Sequence, residues 1–456
     1  MHAAMKIQTD SGAKTLIVGL GKTGLSCVRY LRAQGMPVAV TDSRQEPPGL
    51  NAVREQMPDV ALFLGGFDPH VFDLADRLVV SPGVPLVEPL IQRAIGRGVS
   101  VVGDVELFAQ AAAAPVIGIT GSNGKSTVTS LLGLMAKLAG VRAAVGGNLG
   151  EPILDLLDEK AQLYVVELSS FQLETTTSLN ARAATILNVS ADHMDRYADF
   201  DGYVAAKERV FRGAEIAVVN LDDTTVRSLD HGCGAELGFT LGRPVGPKQF
   251  GLVPYNGADW LSRGDEQLIA ATDVALSGRH NLANALAALA LGTAAGLPHA
   301  PMIAALRSFR GLEHRSELVL EHLGVRWYND SKGTNPGATV AALDGLVTDP
   351  SAGKAVLIAG GDGKGADFNP LIPAVRRAAR AVVLIGRDAP RIESVLSGVT
   401  RLEHATDMGQ AVELAAGIAE SGDCVLLSPA CASFDMFDNY QHRGRIFTEA
   451  VRKVCA

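Results

Sequence analysis

The sequence lacks the features that mark secreted, membrane-spanning or disulfide-stabilised proteins. It has only five cysteines among 456 residues: Cys27, Cys233, Cys424, Cys431 and Cys455. Their number is odd and no C-x-x-C pair occurs, which argues against a disulfide framework and against a zinc site. Residues 1–13 contain no apolar stretch typical of a secretion signal, and no later run is long and uncharged enough to span a membrane. We therefore expect a cytoplasmic protein without membrane insertion.

An excess of positive charge is also missing. The formal net charge is -8, with 47% hydrophobic and 20% charged residues. A negative chain has no general affinity for nucleic-acid backbones or anionic membranes, although a local basic pocket for phosphate remains compatible with it. The composition is that of a globular protein and excludes long disordered segments. The expected partners are small molecules, with no nucleic acid, and we expect a monomer.

What the sequence does contain is a regular alternation of short apolar runs with helical patterns. Because this rhythm is typical of parallel sheets covered by helices, it predicts an α/β protein. A chain of this length is too long for one core, and three domains are expected. The predicted strands cover residues 15–18, 38–41, 77–80, 116–120, 163–168, 183–188, 216–220, 355–359, 381–385 and 424–427.

Domain boundaries are expected near residues 111–115 and 309–313, which gives domains 1–112, 113–312 and 313–456. The first and third are predicted to be Rossmann-like, and the central one to be of the P-loop ATPase type. Residues 221–277 interrupt the rhythm with glycine, proline and short polar–apolar alternations, which predicts a small antiparallel β excursion at the edge of the central domain. A helix at 282–295 should end that domain.

The first glycine-rich loop follows the first predicted strand and has the pattern G-x-G-x-x-G at residues 19–24, with Asp42 ending the next strand. Such a turn receives a diphosphate at a helix N-terminus, as in NAD-dependent oxidoreductases. A UDP-sugar satisfies the same turn as well as NAD does. A tight turn without any ligand is the third interpretation.

The second glycine-rich loop is more specific. It follows the strand 116–120, precedes a helix, and consists of Gly121, Ser122, Asn123, Gly124, Lys125, Ser126 and Thr127. Backbone amides and Lys125 are suited to hold nucleotide phosphates, and the Ser126 hydroxyl is suited to reach Mg²⁺. The strict Walker pattern requires glycine six residues before the lysine, where this chain has Ile119, which disfavours a generic P-loop motor. The loop predicts ATP binding.

Together with its neighbours, this loop resembles the Mur ligase family. The supporting motifs come in the family's order: Gly146-Gly147-Asn148, residues 167–174 (ELSSFQLE), Asn188-Val189-Ser190, residues 192–197 (DHMDRY), Ala206-Lys207, residues 279–284 (RHNLAN), residues 312–315 (LEHR), residues 328–336 (YNDSKGTNP), residues 360–368 (GGDGKGADF) and residues 428–435 (SPACASFD). The resemblance spans nearly the whole chain and is strongest to the D-glutamate-adding branch.

The resemblance implies an ATP-dependent ligase that joins D-glutamate to the alanyl carboxylate of UDP-N-acetylmuramoyl-L-alanine through an acyl phosphate. It implies two Mg²⁺ ions, and it assigns the ATP site to the glycine-rich loop 121–127 with Asn284, Arg315, Asp330 and Lys332. The catalytic set is then Lys125, His193, Lys207, Arg315 and Lys332. The implied metal ligands are Ser126, Glu167, His193 and Lys207, the last as a carbamate formed with CO₂.

By the same resemblance, the uridine-diphosphate substrate contacts Lys22, Thr23, Asp42, Ser43, Arg44, Ser81, Gly83, Asn148 and His193. D-glutamate is assigned to Thr334, Lys364, Ser433, Phe434 and Tyr440. Taken without the resemblance, several of these have simpler interpretations. Periodicity alone makes Lys207 a solvated lysine on an amphipathic helix. For Asn281, at a helix start, and for Glu167, at a strand end, the alternative is a residue that only caps a helix.

Three other functions stay open at this point. Another Mur-type or folylpolyglutamate-type ligase would share the ATP loop, but not residues 192–197 and 428–435 together. A nucleotide-binding sensor or structural ATPase would bind ATP without forming an amide. An oxidoreductase would reduce NAD with an alcohol or hydroxy acid.

Overall fold

The computed structural model describes residues 13–276 and 278–456, which form three α/β units, each built on its own sheet. Residues 1–12, most of the stretch searched for a secretion signal, and Ser277, the predicted end of the β excursion, lie outside the described residues. In the described part of the chain, none of the helices combines the length and apolar character that crossing a bilayer requires.

The first sheet is fully parallel, with strand order β3-β2-β1-β4-β5. Strand β1 is buried along its whole length, as expected for a parallel strand covered on both faces. The elements are β1 (Thr15–Val18), α1 (Lys22–Ala33), β2 (Val38–Asp42), α2 (Leu50–Gln56), β3 (Ala61–Leu64), α3 (Pro69–Asp73), β4 (Arg77–Val80), α4 (Pro89–Gly96) and β5 (Ser100–Val102).

The second sheet has nine strands in the order β14-β13-β12-β11-β10-β9-β6-β8-β7. It is preceded by α5 (Asp104–Ala111). Its elements are β6 (Val116–Thr120), α6 (Lys125–Leu138), β7 (Ala143–Gly147), β8 (Leu163–Glu167), α7 (Ser170–Glu174), β9 (Ala183–Ile186), α8 (Phe200–Glu208), β10 (Ile216–Asn220), α9 (Thr224–Arg227), β11 (Ala235–Phe239), β12 (Gln249–Tyr255), β13 (Ala258–Arg263), β14 (Glu266–Ala270), α10 (Arg279–Ala294) and α11 (His299–Ser308).

The predicted antiparallel excursion is confirmed at the edge of this sheet, where β12 pairs with β13 and β13 with β14 in antiparallel register. The predicted helix at 282–295 begins three residues earlier, at Arg279. The interpretation of Asn281 as its cap is wrong. Gly278 occupies the N-cap position with φ +98°, a backbone conformation that favours glycine, so Asn281 lies in the first turn.

The third sheet has the order β15-β16-β20-β17-β18-β19 and is parallel except for the β15–β16 pair. Its two faces pack against helices through two separate apolar clusters. The elements are β15 (Glu317–His322), β16 (Val325–Asn329), α12 (Pro336–Leu346), β17 (Ala355–Gly360), α13 (Leu371–Ala378), β18 (Ala379–Ile385), α14 (Ala389–Leu396), β19 (Arg401–His404), α15 (Met408–Ile418), β20 (Cys424–Leu427) and α16 (Tyr440–Val454).

Candidate active site

The second glycine-rich loop lies where three parallel strands of the central sheet end together. Strands β8, β6 and β9 are neighbours, and their carboxyl ends bring residues 121–124, Glu167 and residues 187–193 to one edge, the usual place for a ligand in such sheets. The loop is fixed by the segment after β9, since Asn123 N donates to Asn188 Oδ1 at 2.8 Å. Gly124 caps α6 with φ +83°.

Lys125 is folded back over this loop. Its Nζ donates to Gly121 O at 2.8 Å and to Ser122 O at 3.0 Å. Burial lowers the pKa of Lys125, while the carboxylates of Glu167 and Asp192 act in the opposite direction. A cation held at the mouth of a loop of backbone amides is suited to a phosphate group.

Glu167 ends β8 and is bonded on both carboxylate oxygens. Ser126 Oγ donates to Oε2 at 2.5 Å, and Asn148 Nδ2 donates to Oε1 at 2.9 Å. The pKa of Glu167 is lowered although burial opposes this, because Lys125 lies nearby and Ser126 donates to it. Glu167 therefore stays ionised, and it does not cap a helix, because Ser169 caps α7.

A hydroxyl and a carboxylate in contact fit Mg²⁺, which prefers oxygen ligands. Within residues 13–276 and 278–456, no group of three or more His, Cys, Asp or Glu side chains is placed to hold a metal. Mg²⁺ is commonly held by one or two carboxylates together with water and substrate phosphates. Ser126 and Glu167 thus fit the ion.

His193 lies in the loop after β9, with φ +58° and its ring edge-to-face against Phe171 at 4.8 Å. Burial lowers the pKa of His193 to about 4 despite the nearby Asp192. The imidazole is therefore neutral at pH 7 and keeps a lone pair for a metal or a substrate proton.

Lys207 is only 2% exposed, so its interpretation as a solvated lysine is wrong. Its Nζ donates to Gly121 O at 2.9 Å and lies 4.5 Å from the centroid of the Tyr203 ring. Burial, helped by the charge of Lys125, lowers the pKa of Lys207 well below its ordinary value. A neutral amine is the form that reacts with CO₂, so this environment is compatible with a carbamate.

A cavity of about 330 Å³ opens between the loop and the C-terminal domain. Asn284, Arg315, Asp330 and Lys332, all expected to contact ATP, line it together with Phe239 and Leu276. Arg315 Nη2 donates to Ser126 Oγ at 2.6 Å, which joins the two domains. Burial lowers the pKa of Lys332 to about 8. The cavity combines apolar side chains with cations, as a nucleotide requires.

Asp330 is mostly engaged within its own domain. Its Oδ2 accepts from Ser428 Oγ at 2.7 Å and its Oδ1 from Ser316 N at 3.0 Å. Burial raises the pKa of Asp330 to about 6. The side chain lines the nucleotide cavity with little exposed surface.

A second cavity, of about 500 Å³, lies over the first glycine-rich loop. Asp42 is nearly buried there, and its carboxylate accepts from Leu20 N at 2.7 Å and pairs with Arg44. Asp42 thus fixes the loop and orients Arg44, which is half exposed. The cavity is lined by the predicted residues Lys22, Thr23, Asp42, Ser43, Arg44, Ser81, Gly83 and Asn148.

A third cavity, of about 450 Å³, is lined by residues of the central and C-terminal domains. It shares Arg315 and Lys332 with the first cavity and Asn148 with the second. His193 lines this cavity and not the one over the first loop. All five residues expected to bind D-glutamate also line it: Thr334, Lys364, Ser433, Phe434 and Tyr440. Lys364 Nζ forms an ion pair with Asp192 at 3.1 Å.

Sequence reasoning assigned no role to several side chains in this third cavity. Asn335 is bonded to both Asn123 and Asp192, and Tyr203 Oη is 3.1 Å from Ser122 Oγ. Asn335 carried a local signal, since an asparagine before proline is typical of a helix start, but that signal says nothing of its partners in another domain.

Family models match most of the chain. The model of the Mur ligase MurD-like N-terminal domain matches residues 13–103, that of the Mur ligase middle domain residues 119–292, and that of the Mur ligase glutamate ligase domain residues 314–431. Among solved structures, a UDP-N-acetylmuramate-alanine ligase from Thermotoga maritima matches with a TM-score of 0.60 and 19% identity, covering 97% of this chain and 100% of that one. This likeness supports the fold alone.

Curated relatives are similar over the full length. The UDP-N-acetylmuramoylalanine--D-glutamate ligase of Nitrosococcus oceani is 56% identical over 98% of both chains. The protein of the same name from Marinobacter nauticus is 54% identical over 97% of this chain and 98% of its own, and that from Pseudomonas aeruginosa is 50% identical over 96% and 98%. With the geometry described above, these matches establish that the chain belongs to the Mur ligase family, whose members depend on ATP and Mg²⁺.

Proposed function

We propose that this chain joins D-glutamate to UDP-N-acetylmuramoyl-L-alanine, with ATP converted to ADP and phosphate, in peptidoglycan synthesis. The observation that carries this function is the identity of 50–56% over nearly the whole chain with ligases of that name. The third cavity shares Asn123 and Gly124 with the nucleotide cavity and Asn148 with the cavity over the first loop, so the three are adjacent, which suits a reaction of three substrates.

In the first step, the alanyl carboxylate attacks the γ-phosphorus of ATP, and ADP leaves. This gives an acyl phosphate, in which the carboxylate oxygen, otherwise a poor leaving group, can leave as part of phosphate. We assign to Lys125, Arg315 and Lys332 the neutralisation of the charge that develops on the transferred group. Ser126 and Glu167 would hold Mg²⁺, which when bound would further neutralise phosphate oxygens.

In the second step, the neutral amine of D-glutamate attacks the acyl carbon, and phosphate leaves with the bonding electrons as the amine loses a proton. Lys364 and Thr334 are assigned to the carboxylates of D-glutamate, and Ser433 and Phe434 to its main-chain atoms. Tyr440 lies against Lys332, whose Nζ is 4.2 Å from the ring centroid. Contacts between the domains enclose the acyl phosphate and exclude water.

A second Mg²⁺ and a carbamate on Lys207 form part of the proposal. The support is the burial of Lys207 beside Gly121, the lowering of its pKa by that burial and the neutral ring of His193. We further propose that the enzyme acts in the cytoplasm, where ATP is available, and as a monomer, since one chain supplies all three cavities.

The deciding measurement is phosphate release by the purified protein in Mg²⁺ with ATP and UDP-N-acetylmuramoyl-L-alanine, with D-glutamate, L-glutamate or neither, followed by mass spectrometry of the products. We expect a glutamyl adduct with D-glutamate only. An adduct with L-glutamate would keep the ligase mechanism and refute the amino-acid assignment. No adduct with either would refute the function.

A further inference from the structure

Asp192 connects the central domain to two side chains of the C-terminal domain. It lies in the loop after β9, and its side chain is 11% exposed. Its Oδ1 accepts from Lys364 Nζ at 3.1 Å and from His193 N at 2.9 Å, and its Oδ2 accepts from Asn335 Nδ2 at 3.1 Å. Both cross-domain donors line the third cavity. Lys364 is itself assigned to D-glutamate, and Asn335 directly follows Thr334, which has the same assignment.

Asn335 also reaches the ATP loop. Its Nδ2 lies 3.3 Å from Asn123 Oδ1, and Asn123 Nδ2 lies 3.4 Å from its Oδ1. The same Oδ1 accepts from Ala338 N at 2.8 Å and so caps α12. Asn335 is 4% exposed, so this amide is fixed between the helix start, the phosphate loop and Asp192.

We propose that Asn335 is a positioning residue, which couples the ATP loop to the D-glutamate subsite by orienting Asp192 and, through it, Lys364. A carboxylate with both oxygens bonded cannot rotate freely, so the Lys364 ammonium is held where a carboxylate of the amino acid would meet it. When the Asn335 amide is removed, Asp192 loses one of its two cross-domain donors and Lys364 loses its fixed place. The inference rests on the proposed function, because it takes Lys364 as a D-glutamate contact.

The first test is Asn335→Ser. Serine keeps an oxygen that caps a helix but is too short to reach Asp192. We expect the KM for D-glutamate to rise about tenfold, the effect of losing a hydrogen bond to a charged group. The KM for UDP-N-acetylmuramoyl-L-alanine should stay within about twofold of wild type, because that substrate is assigned to another domain.

The matched control is Asp407→Ser. Asp407 caps α15 in the same domain by accepting from Gln410 N at 2.9 Å, and it belongs to none of the three cavities. It changes a helix cap of the same domain and should leave the KM for D-glutamate unchanged. Equal rises of both KM values in Asn335→Ser, or a D-glutamate KM within about twofold of wild type, would overturn the proposal.

A second test exchanges the two groups. In the double variant Asp192→Asn with Asn335→Asp, the amide donor and the carboxylate acceptor change places and the net charge is conserved. We expect its kcat/KM for D-glutamate to exceed that of the Asp192→Asn single variant, whereas additive losses would contradict the coupling. If the wild-type enzyme forms no adduct with D-glutamate, the proposed function itself fails, which is a different result from an active wild type with unresponsive variants.

Discussion

Two lysines beside the same carbonyl group, Gly121 O, illustrate how surroundings decide side-chain chemistry. Lys125 and Lys207 both donate to this oxygen, and burial lowers the pKa of each. The charge of Lys125 lowers the pKa of Lys207 further, whereas Glu167 and Asp192 act in the opposite direction on both lysines. Lys207 is packed against the Tyr203 ring. The surroundings of Lys207 thus favour the neutral form of its amine, the form that the proposed carbamate requires.

Replacing Lys207 by methionine should change the pH dependence of stability and lower the ligation rate. Burial places the folded-state pKa of Lys207 below its unfolded value, so the unfolded chain binds more protons between those two values and wild-type stability rises with pH there. In Lys207→Met, this contribution to the rise of the unfolding free energy with pH should be lost. We expect kcat to fall by on the order of 10²–10³. The measurements are denaturant unfolding at pH 7 and pH 9 and the ligation rate.

The exposed Lys137, in the last turn of α6, provides the matched control. Lys137→Met should leave both the pH slope and the rate unchanged. A Lys207→Met variant with near-normal turnover would refute the assignment of Lys207 to the reaction.

The His193 ring should titrate at about pH 4, as burial dictates. Because this pKa lies below the unfolded value of 6.5, the unfolded state binds the extra proton between these values, and the His193 contribution to stability increases as pH rises from about 4 to 6.5. NMR of the imidazole resonances measures the midpoint, with His193→Gln to assign them. A midpoint near 6.5 would show that the ring is solvated.

Helix α6 depends on a glycine at its start. Gly124 has φ +83°, and a Cβ atom there would lie 2.4 Å from Asn284 Oδ1. Gly124 thus allows the turn of the loop and the close approach of Asn284, a residue assigned to the nucleotide. The N-terminus of α6, with its free backbone amides, lies directly after this glycine, where the proposed function locates the ATP phosphates.

Gly124→Ala should therefore raise the KM for ATP at least tenfold, because strain in the left-handed region of about 1–2 kcal/mol is added to the clash with Asn284. Affinity for the UDP substrate, measured by calorimetry, should change little. Gly140→Ala is the control, since Gly140 has φ +75° after the other end of α6 but nothing within 4 Å of the added Cβ. An equal effect of both variants on the KM for ATP would contradict this explanation.

At the scale of the whole molecule, the two domain junctions differ in kind. The first two domains share one apolar cluster that runs through α5. They also share buried bonds, such as Gln172 Nε2 to Asp104 Oδ2 at 2.9 Å. The C-terminal domain has its own apolar clusters and meets the central domain through polar contacts of Arg315, Asn335 and Lys364. The C-terminal domain should therefore be the one that opens.

Arg315→Ala should favour the open form and reduce kcat by on the order of 10², since it removes a cation from the phosphate site and a bond to Ser126. Small-angle X-ray scattering with ATP and Mg²⁺ should give a larger radius of gyration than for wild type. Arg307→Ala, on the exposed surface of α11, should change neither quantity. An unchanged radius in Arg315→Ala would mean that other contacts maintain closure.

The sequence by itself determined the α/β class, the strands that carry the two glycine-rich loops and the antiparallel edge. These follow from local patterns, because apolar runs, glycines and helix starts act over a few neighbouring residues. The motifs with their order also identified the family. Pattern alone failed at Asn281 and Lys207, whose places depend on a neighbouring glycine cap and on packing.

The tertiary structure alone decided which distant groups meet. Asp192 is 143 residues from Asn335 and 172 residues from Lys364, yet it is bonded to both. Periodicity reports which face of an element is buried, but not which side chain of another domain lies opposite it. The burial of Lys207 and His193, which lowers the pKa of both, and the contacts of Asp192 with Asn335 and Lys364 therefore arise only when the three sheets are assembled.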